Sequence, residues 1–74
     1  MQEFTIYFAE HQDKIDFCEK ANDLSYEIDI LYGDMEGDGK SMLYVVNLPL
    51  KTSIRVRIYD EDVNIKEVFK DWMQ

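Results

Sequence analysis

The chain has 74 residues, enough for one domain spanning 1–74 with a modest core. Hydrophobic residues make up 46% and charged ones 32%, a globular rather than a disordered balance. The formal charge of −8 argues against nucleic acid or an anionic membrane as partner, because either would repel the chain.

The first segment, 2–9, alternates Phe4, Ile6 and Phe8 against Thr5 and Tyr7, the pattern of a half-buried strand. Residues 11–24 place Ile15, Cys18 and Ala21 three apart, with Phe17 and Leu24 extending the stripe, which predicts an amphipathic helix. In 26–32, Tyr26, Ile28, Ile30 and Tyr32 alternate with Glu27 and Asp29, a second strand. Gly33, Gly37 and Gly39 then punctuate a turn with a short strand at 35–38.

From Ser41 to Leu48 the sequence is almost continuously apolar, and periodicity does not separate helix from strand. Pro49 limits this segment by pushing the residue before it out of helical geometry. Residues 52–59 alternate again, with Ile54, Val56 and Ile58 against Ser53, Arg55 and Arg57. Ile65, Val68, Phe69 and Trp72 stand at helical spacing, preceded by Asp60, Glu61 and Asp62, which suit the positive end of a helix dipole.

The order is β-α-β-(β)-α-β-α. Helices with one apolar stripe each need one sheet face to cover, which leaves the other face to water. Thr5, Glu27, Asp29, Ser53, Arg55 and Arg57 fall on that second face.

Cys18 is the sole cysteine, so no internal disulfide framework forms and a cytoplasmic address is expected. Its apolar neighbours mark it as a small buried side chain rather than a nucleophile. One Cys and one His do not make a zinc cluster, and no cofactor is expected. Charges interrupt every apolar run before membrane length, so neither a signal peptide nor membrane insertion is read.

The stretch "GDMEGDGKSMLYVVNLPL" supports two chemistries. Asp34, Glu36, Asp38 and Gly39 approximate the opening of a calcium loop. Its twelfth position is Val45, however, so the bidentate ligand is missing, and 26–32 reads as strand where a helix is needed. The turn reading is preferred, and no metal site is expected. At the other end, Ser41 stands where a side-chain oxygen caps a following helix running to about Leu48.

The segment order, together with "FCEKAND", "YEIDI" and "GKSML" ending in "LPL", resembles the HPr family, the histidine-containing phosphocarriers of the bacterial sugar phosphotransferase system. That resemblance implies an α+β open-faced sandwich of βαββαβα order, with a four-stranded antiparallel sheet and three helices on one face. It also implies that the fourth strand lies between the first and second, placing Arg55 and Arg57 beside Glu27 and Asp29.

The family's phosphorylation pattern, His-x-Arg-Pro at the start of the first helix, is degenerate here. The corresponding run is "EHQDKI", with His11 as candidate phosphoryl acceptor, Asp13 in place of the arginine and Lys14 in place of the proline. A slightly different placing of the shortened loop puts Glu10 at the catalytic position instead. A carboxylate about 6 Å from a phosphoryl group costs roughly 1–3 kcal/mol per unit of charge near a protein surface. Lys14, three residues after His11, is expected to offset part of that.

Ser41 matches the family's regulatory phosphoserine. Met42, Leu43, Val46 and Asn47 match its partner-docking patch, with Leu43 and Val46 expected to point partly inward. The resemblance therefore implies a non-enzymatic binding or regulatory module, with phosphotransferase-system proteins or a transcriptional regulator as partners. The alternatives are a phosphoryl carrier working through His11, and a structural domain without phosphotransfer chemistry.

Overall fold

A computed structural model describes residues 1–74. Its elements are β1 (Gln2–Tyr7), α1 (His11–Asn22), β2 (Ile28–Tyr32), β3 (Met35–Asp38), α2 (Met42–Val45), β4 (Ser53–Ile58) and α3 (Ile65–Val68). The strands form one antiparallel sheet in the order β1-β4-β2-β3. This is the βαββαβα open-faced sandwich, with the helices on one face.

Alternation decides which side chains go inward. Phe4 and Ile6 of β1, Ile28 and Ile30 of β2, and Ile54, Val56 and Ile58 of β4 are all buried. Across from them lie Phe17, Cys18 and Ala21 of α1, Val45 of α2, and Phe69 and Trp72 near the C-terminus. Phe17 is the aromatic hub. Its ring sits 5.6 Å from Phe8 and 5.5 Å from both Phe69 and Trp72, in edge-on or tilted contact. Such pairs contribute about 0.5–1.5 kcal/mol each beyond their burial.

Helix α1 ends at Asn22, two residues before the expected Leu24, and its buried stripe is Lys14, Phe17, Cys18 and Ala21. Ile15 is only half-buried, so the expected Ile15–Cys18–Ala21 face is rotated slightly about the helix axis. The reason is α2. Lys14 Nζ donates to the Val46 carbonyl over 3.1 Å, and its stem is covered to 2% exposure.

Two helices are shorter than their sequence patterns suggest. Helix α2 covers four residues rather than reaching Leu48. Val46 closes it, Asn47 Nδ2 donates back to the Leu43 carbonyl at 2.6 Å, and Pro49 keeps Leu48 from continuing. Helix α3 is one turn, not a helix through Trp72. Beyond Val68 the backbone leaves the helix to pair with β1, where Tyr7 N–H donates to the Trp72 carbonyl and Gln74 N–H to the Thr5 carbonyl. The chain's last residues thus cover one sheet edge, while β3 remains the open one.

The water-facing side of the sheet holds a different ion-pair pattern from the expected one. Arg57 lies opposite Asp29 in register, as anticipated, but its guanidinium pairs with Glu3 at 3.1 Å and approaches Glu36 at 3.9 Å. Asp29 instead accepts from the Tyr59 hydroxyl at 2.8 Å. Arg55 stands opposite Leu31 and Thr5 and has no ion pair. Glu27 lies outside β2 and gives only its carbonyl, to Tyr59 N–H. Cross-strand neighbours and side-chain reach, rather than opposite register alone, select the partners.

Candidate functional site

His11 is the first residue of α1 and is exposed, without a side-chain hydrogen bond. The backbone donors ahead of it are already engaged. Asp13 Oδ2 accepts from the N–H of Ala9 at 2.9 Å and of Glu10 at 3.1 Å, so this carboxylate caps the helix from its third position. A helix start offers free N–H groups and a positive dipole end to an anion. Here the chain supplies that anion itself. Lys14 does not offset the charge as expected, because its ammonium is turned inward onto Val46.

Ser41 is the N-cap of α2 in extended geometry, as expected, and its Oγ accepts from Tyr44 N–H at 3.4 Å. Its own N–H donates to the Asp38 carbonyl at 3.0 Å. Asp38 Oδ1 in turn accepts from Lys40 N–H, which tightens the turn between β3 and α2.

His11 and Ser41 are not brought together. The start of α1 meets the end of α2 through Lys14 and Val46, whereas Asn22 Nδ2 at the far end of α1 reaches the Lys40 carbonyl. The helices therefore run antiparallel, and the two candidate residues are separated by roughly 10–16 Å along α1 at 1.5 Å per residue.

The other candidate residues divide. Met42 and Asn47 are exposed and Val46 is half-buried. Leu43, expected to point partly inward, is 80% exposed, because Val45 takes the inward position of this short helix. An open groove of about 560 Å³ lies between α2 and the tip of the β2–β3 hairpin. Ser41, Leu43 and Asn47 line it from the α2 side. Tyr32, Met35, Tyr44, Leu48 and Pro49 complete the lining, and sequence reasoning does not single these out. A signal was present for Tyr32. It continues the inward series of Ile28 and Ile30 one step past the helices, so its ring is left partly uncovered.

The groove floor depends on a close approach. A methyl group at Gly37 would overlap the Tyr44 ring, so glycine lets α2 settle on β3. Gly33, in the left-handed region at φ 61, makes the hairpin turn that sets Tyr32 opposite Met35. The Tyr44 hydroxyl is buried without a hydrogen-bond partner, and burial raises its pKa above the ordinary tyrosine value. No group of three or more His, Cys, Asp or Glu side chains gathers closely enough to hold a metal ion. Glu36, from the calcium-like run, faces Arg57 instead.

No family model matches the chain, and no curated protein matches its sequence. Among solved structures it is similar to the crystal structure of HPr-C-His from Thermoanaerobacter tengcongensis, with a TM-score of 0.72. Sequence identity is 17%, over 95% of this chain and 84% of that one. The fold is thus that of HPr. No helix is long and apolar enough to cross a membrane.

Proposed function

We infer that this HPr-like domain is a non-enzymatic binding module rather than a phosphoryl carrier, with the α2 face as its docking surface. The observation that carries this reading is the Asp13 carboxylate on the Ala9 and Glu10 N–H groups. A phosphoryl group on His11 would meet that negative charge within one helical turn and find those donors taken. The α2 face has the opposite character. Leu43 and Met42 are exposed apolar side chains beside Ser41 and Asn47, a surface that gains by being covered.

Ser41 is the regulatory candidate in this reading. The N–H groups of Met42 and Leu43, at the first turn of α2, have no intrahelical partner and are the donors a phosphate there would meet. Phosphotransferase-system proteins and a transcriptional regulator are the partner classes to test first.

Incubation with enzyme I of the phosphotransferase system and phosphoenolpyruvate, read by intact mass, is the discriminating experiment. No mass increase on the native chain is expected. Rapid stoichiometric labelling, lost in His11→Ala, would restore the carrier reading, which the exposure of His11 leaves sterically open.

A further inference from the structure

The sheet covers one of its edges and leaves the other open. Beside β1, the chain supplies its own extra pairing: Ile6 bridges to Met73, Tyr7 N–H donates to the Trp72 carbonyl and Gln74 N–H to the Thr5 carbonyl. No strand plays that part beside β3, which ends the order at the other side.

Register decides which backbone groups this edge presents. Gly39 N–H donates to the Ile28 carbonyl at 2.8 Å, so Ile28 and Gly39 form a hydrogen-bonded pair. Such pairs alternate along an antiparallel ladder. Ile30–Gly37 and Tyr32–Met35 are therefore bonded pairs, while Asp29–Asp38 and Leu31–Glu36 are not. The pairing of β2 with β4 has the matching phase, since Tyr59 N–H donates to the Glu27 carbonyl and so turns the backbone groups of Asp29 and Leu31 toward β4. The N–H and C=O of Glu36 and the N–H of Asp38 thus point outward from the sheet. The Asp38 carbonyl, on the same side, already accepts from Ser41 N–H at 3.0 Å.

Negative charge accompanies these groups. Glu36 and Asp38 are exposed and turn their side chains to the open sheet face, in line with Leu31 and Asp29 of β2. Arg57 approaches Glu36 at 3.9 Å but is held more closely by Glu3, at 3.1 Å. Arg55 stands one strand further in, beyond Leu31, and makes no ion pair with them. A second copy pairing antiparallel through its own β3 would set Glu36 opposite Glu36 or Asp38, and like charges directly opposite destabilise a ladder.

We propose that β3 takes up an extended, basic segment of another protein as an added strand. The outward groups of Glu36 and Asp38 supply its backbone bonds. Alternation then turns every second side chain of the segment onto the open face, where Lys or Arg meets Glu36, Asp38 and Asp29. The side chains between them turn to the helix side, beside the exposed Met35. The site is the sheet edge, so it goes beyond the reading of α2 as a docking surface and does not rest on it.

The test is selection from a random dodecapeptide phage library on the native protein, followed by amide hydrogen exchange of the ¹⁵N-labelled protein with a synthetic copy of a selected peptide. Retained peptides are expected to carry Lys or Arg at alternate positions. The Glu36 and Asp38 amides should exchange fast in the free protein and slow by about tenfold or more in the complex. Glu36→Gln keeps the backbone donor and removes the charge, so binding should weaken and depend less on salt. Glu36→Pro removes the donor, a change that edge strands tolerate where the N–H points outward, and binding should fall by about tenfold or more even at high salt. Circular dichroism checks both folds, and if Glu36→Pro does not fold, protection of the Glu36 amide in the native complex decides.

Recovery of no peptide, or of peptides without a basic excess, would overturn the proposal and leave the carboxylates as guards against edge pairing. Binding that leaves the Glu36 and Asp38 amides unprotected would overturn it too, by placing the peptide elsewhere on the surface. So would sedimentation showing a dimer of the free protein in which the same amides are protected, since the edge would then belong to a second copy.

Discussion

Lys14 and Val46 tie the first turn of α1 to the end of α2, through a 3.1 Å bond from the ammonium to the carbonyl that closes the short helix. A cation is favourable at that end of a helix. Most of the lysine's contribution comes from its covered stem, since a buried methylene contributes about 0.8 kcal/mol. Lys14→Ala should therefore destabilise by about 2–3 kcal/mol, and Lys14→Met, which keeps most of the stem, by less than about 1.5 kcal/mol. Urea unfolding of both variants checks this. Equal losses would mean that the ammonium–carbonyl bond, not the stem, dominates.

Asp13 makes stability and phosphotransfer oppose each other. Asp13→Ala should lower stability by about 0.5–2 kcal/mol, the usual range for a lost helix cap. Asp13→Arg should be destabilised similarly, yet any trace labelling of His11 by enzyme I should increase. Labelling unchanged between native and Asp13→Arg would show that the carboxylate is not what opposes the phosphoryl group.

The Tyr44 hydroxyl is buried without a partner, so its removal loses no hydrogen bond. Tyr44→Phe should leave stability within about 0.5 kcal/mol of native or raise it. Thermal unfolding compares the two. A loss above about 1 kcal/mol would reveal a bond, direct or through water, that the hydroxyl makes in solution.

Stability should decline in alkali. Burial pushes the Cys18 thiol above its ordinary 9.0, and burial likewise raises Tyr26 and Tyr44 above 10.0. Above those values the unfolded chain loses protons that the folded chain keeps, so the folded state binds more protons and stability falls with rising pH. The contribution is intact below about pH 8 and lost progressively from about pH 9 upward as the unfolded groups ionise. Urea midpoints across that window should fall, with the earliest part of the fall reduced in Cys18→Ala. A flat profile would contradict the burial of all three groups.

Trp72 is 7% exposed although it lies beyond α3, in a turn that carries it against Phe17. Trp72→Ala should destabilise by about 3–5 kcal/mol, a large share of a small domain's stability. A loss below about 1 kcal/mol would mean that the C-terminal turn does not hold to the core.

Much of this fold is legible because it is local. Alternation sends Phe4, Ile6, Ile28, Ile30, Ile54, Val56 and Ile58 inward, since a strand turns successive side chains to opposite faces whatever lies beyond it. Ser41 caps α2 by a bond that spans three residues, so composition at one position was enough to place it. Phe69 and Trp72 were legible as core residues for the same reason, because burial follows their size and apolarity.

The tertiary structure decided what depends on distant neighbours. Periodicity placed Ile15 inside, but the end of α2 lies where Lys14 can satisfy a carbonyl, and the helix is rotated toward it. The apolar spacing from Ile65 to Trp72 fits a helix, yet α3 stops at Val68 because the backbone of 72–74 gains hydrogen bonds at the edge of β1. Asp13 is different: it reads as a repelling charge beside His11, yet its bonds to Ala9 and Glu10 span only three and four residues, a local cap that the charge argument passed over. The groove depends on how two neighbouring elements pack. Tyr32 and Met35 face each other across the β2–β3 hairpin, and Leu43 joins them only because Gly37 lets Tyr44 seat α2 against β3.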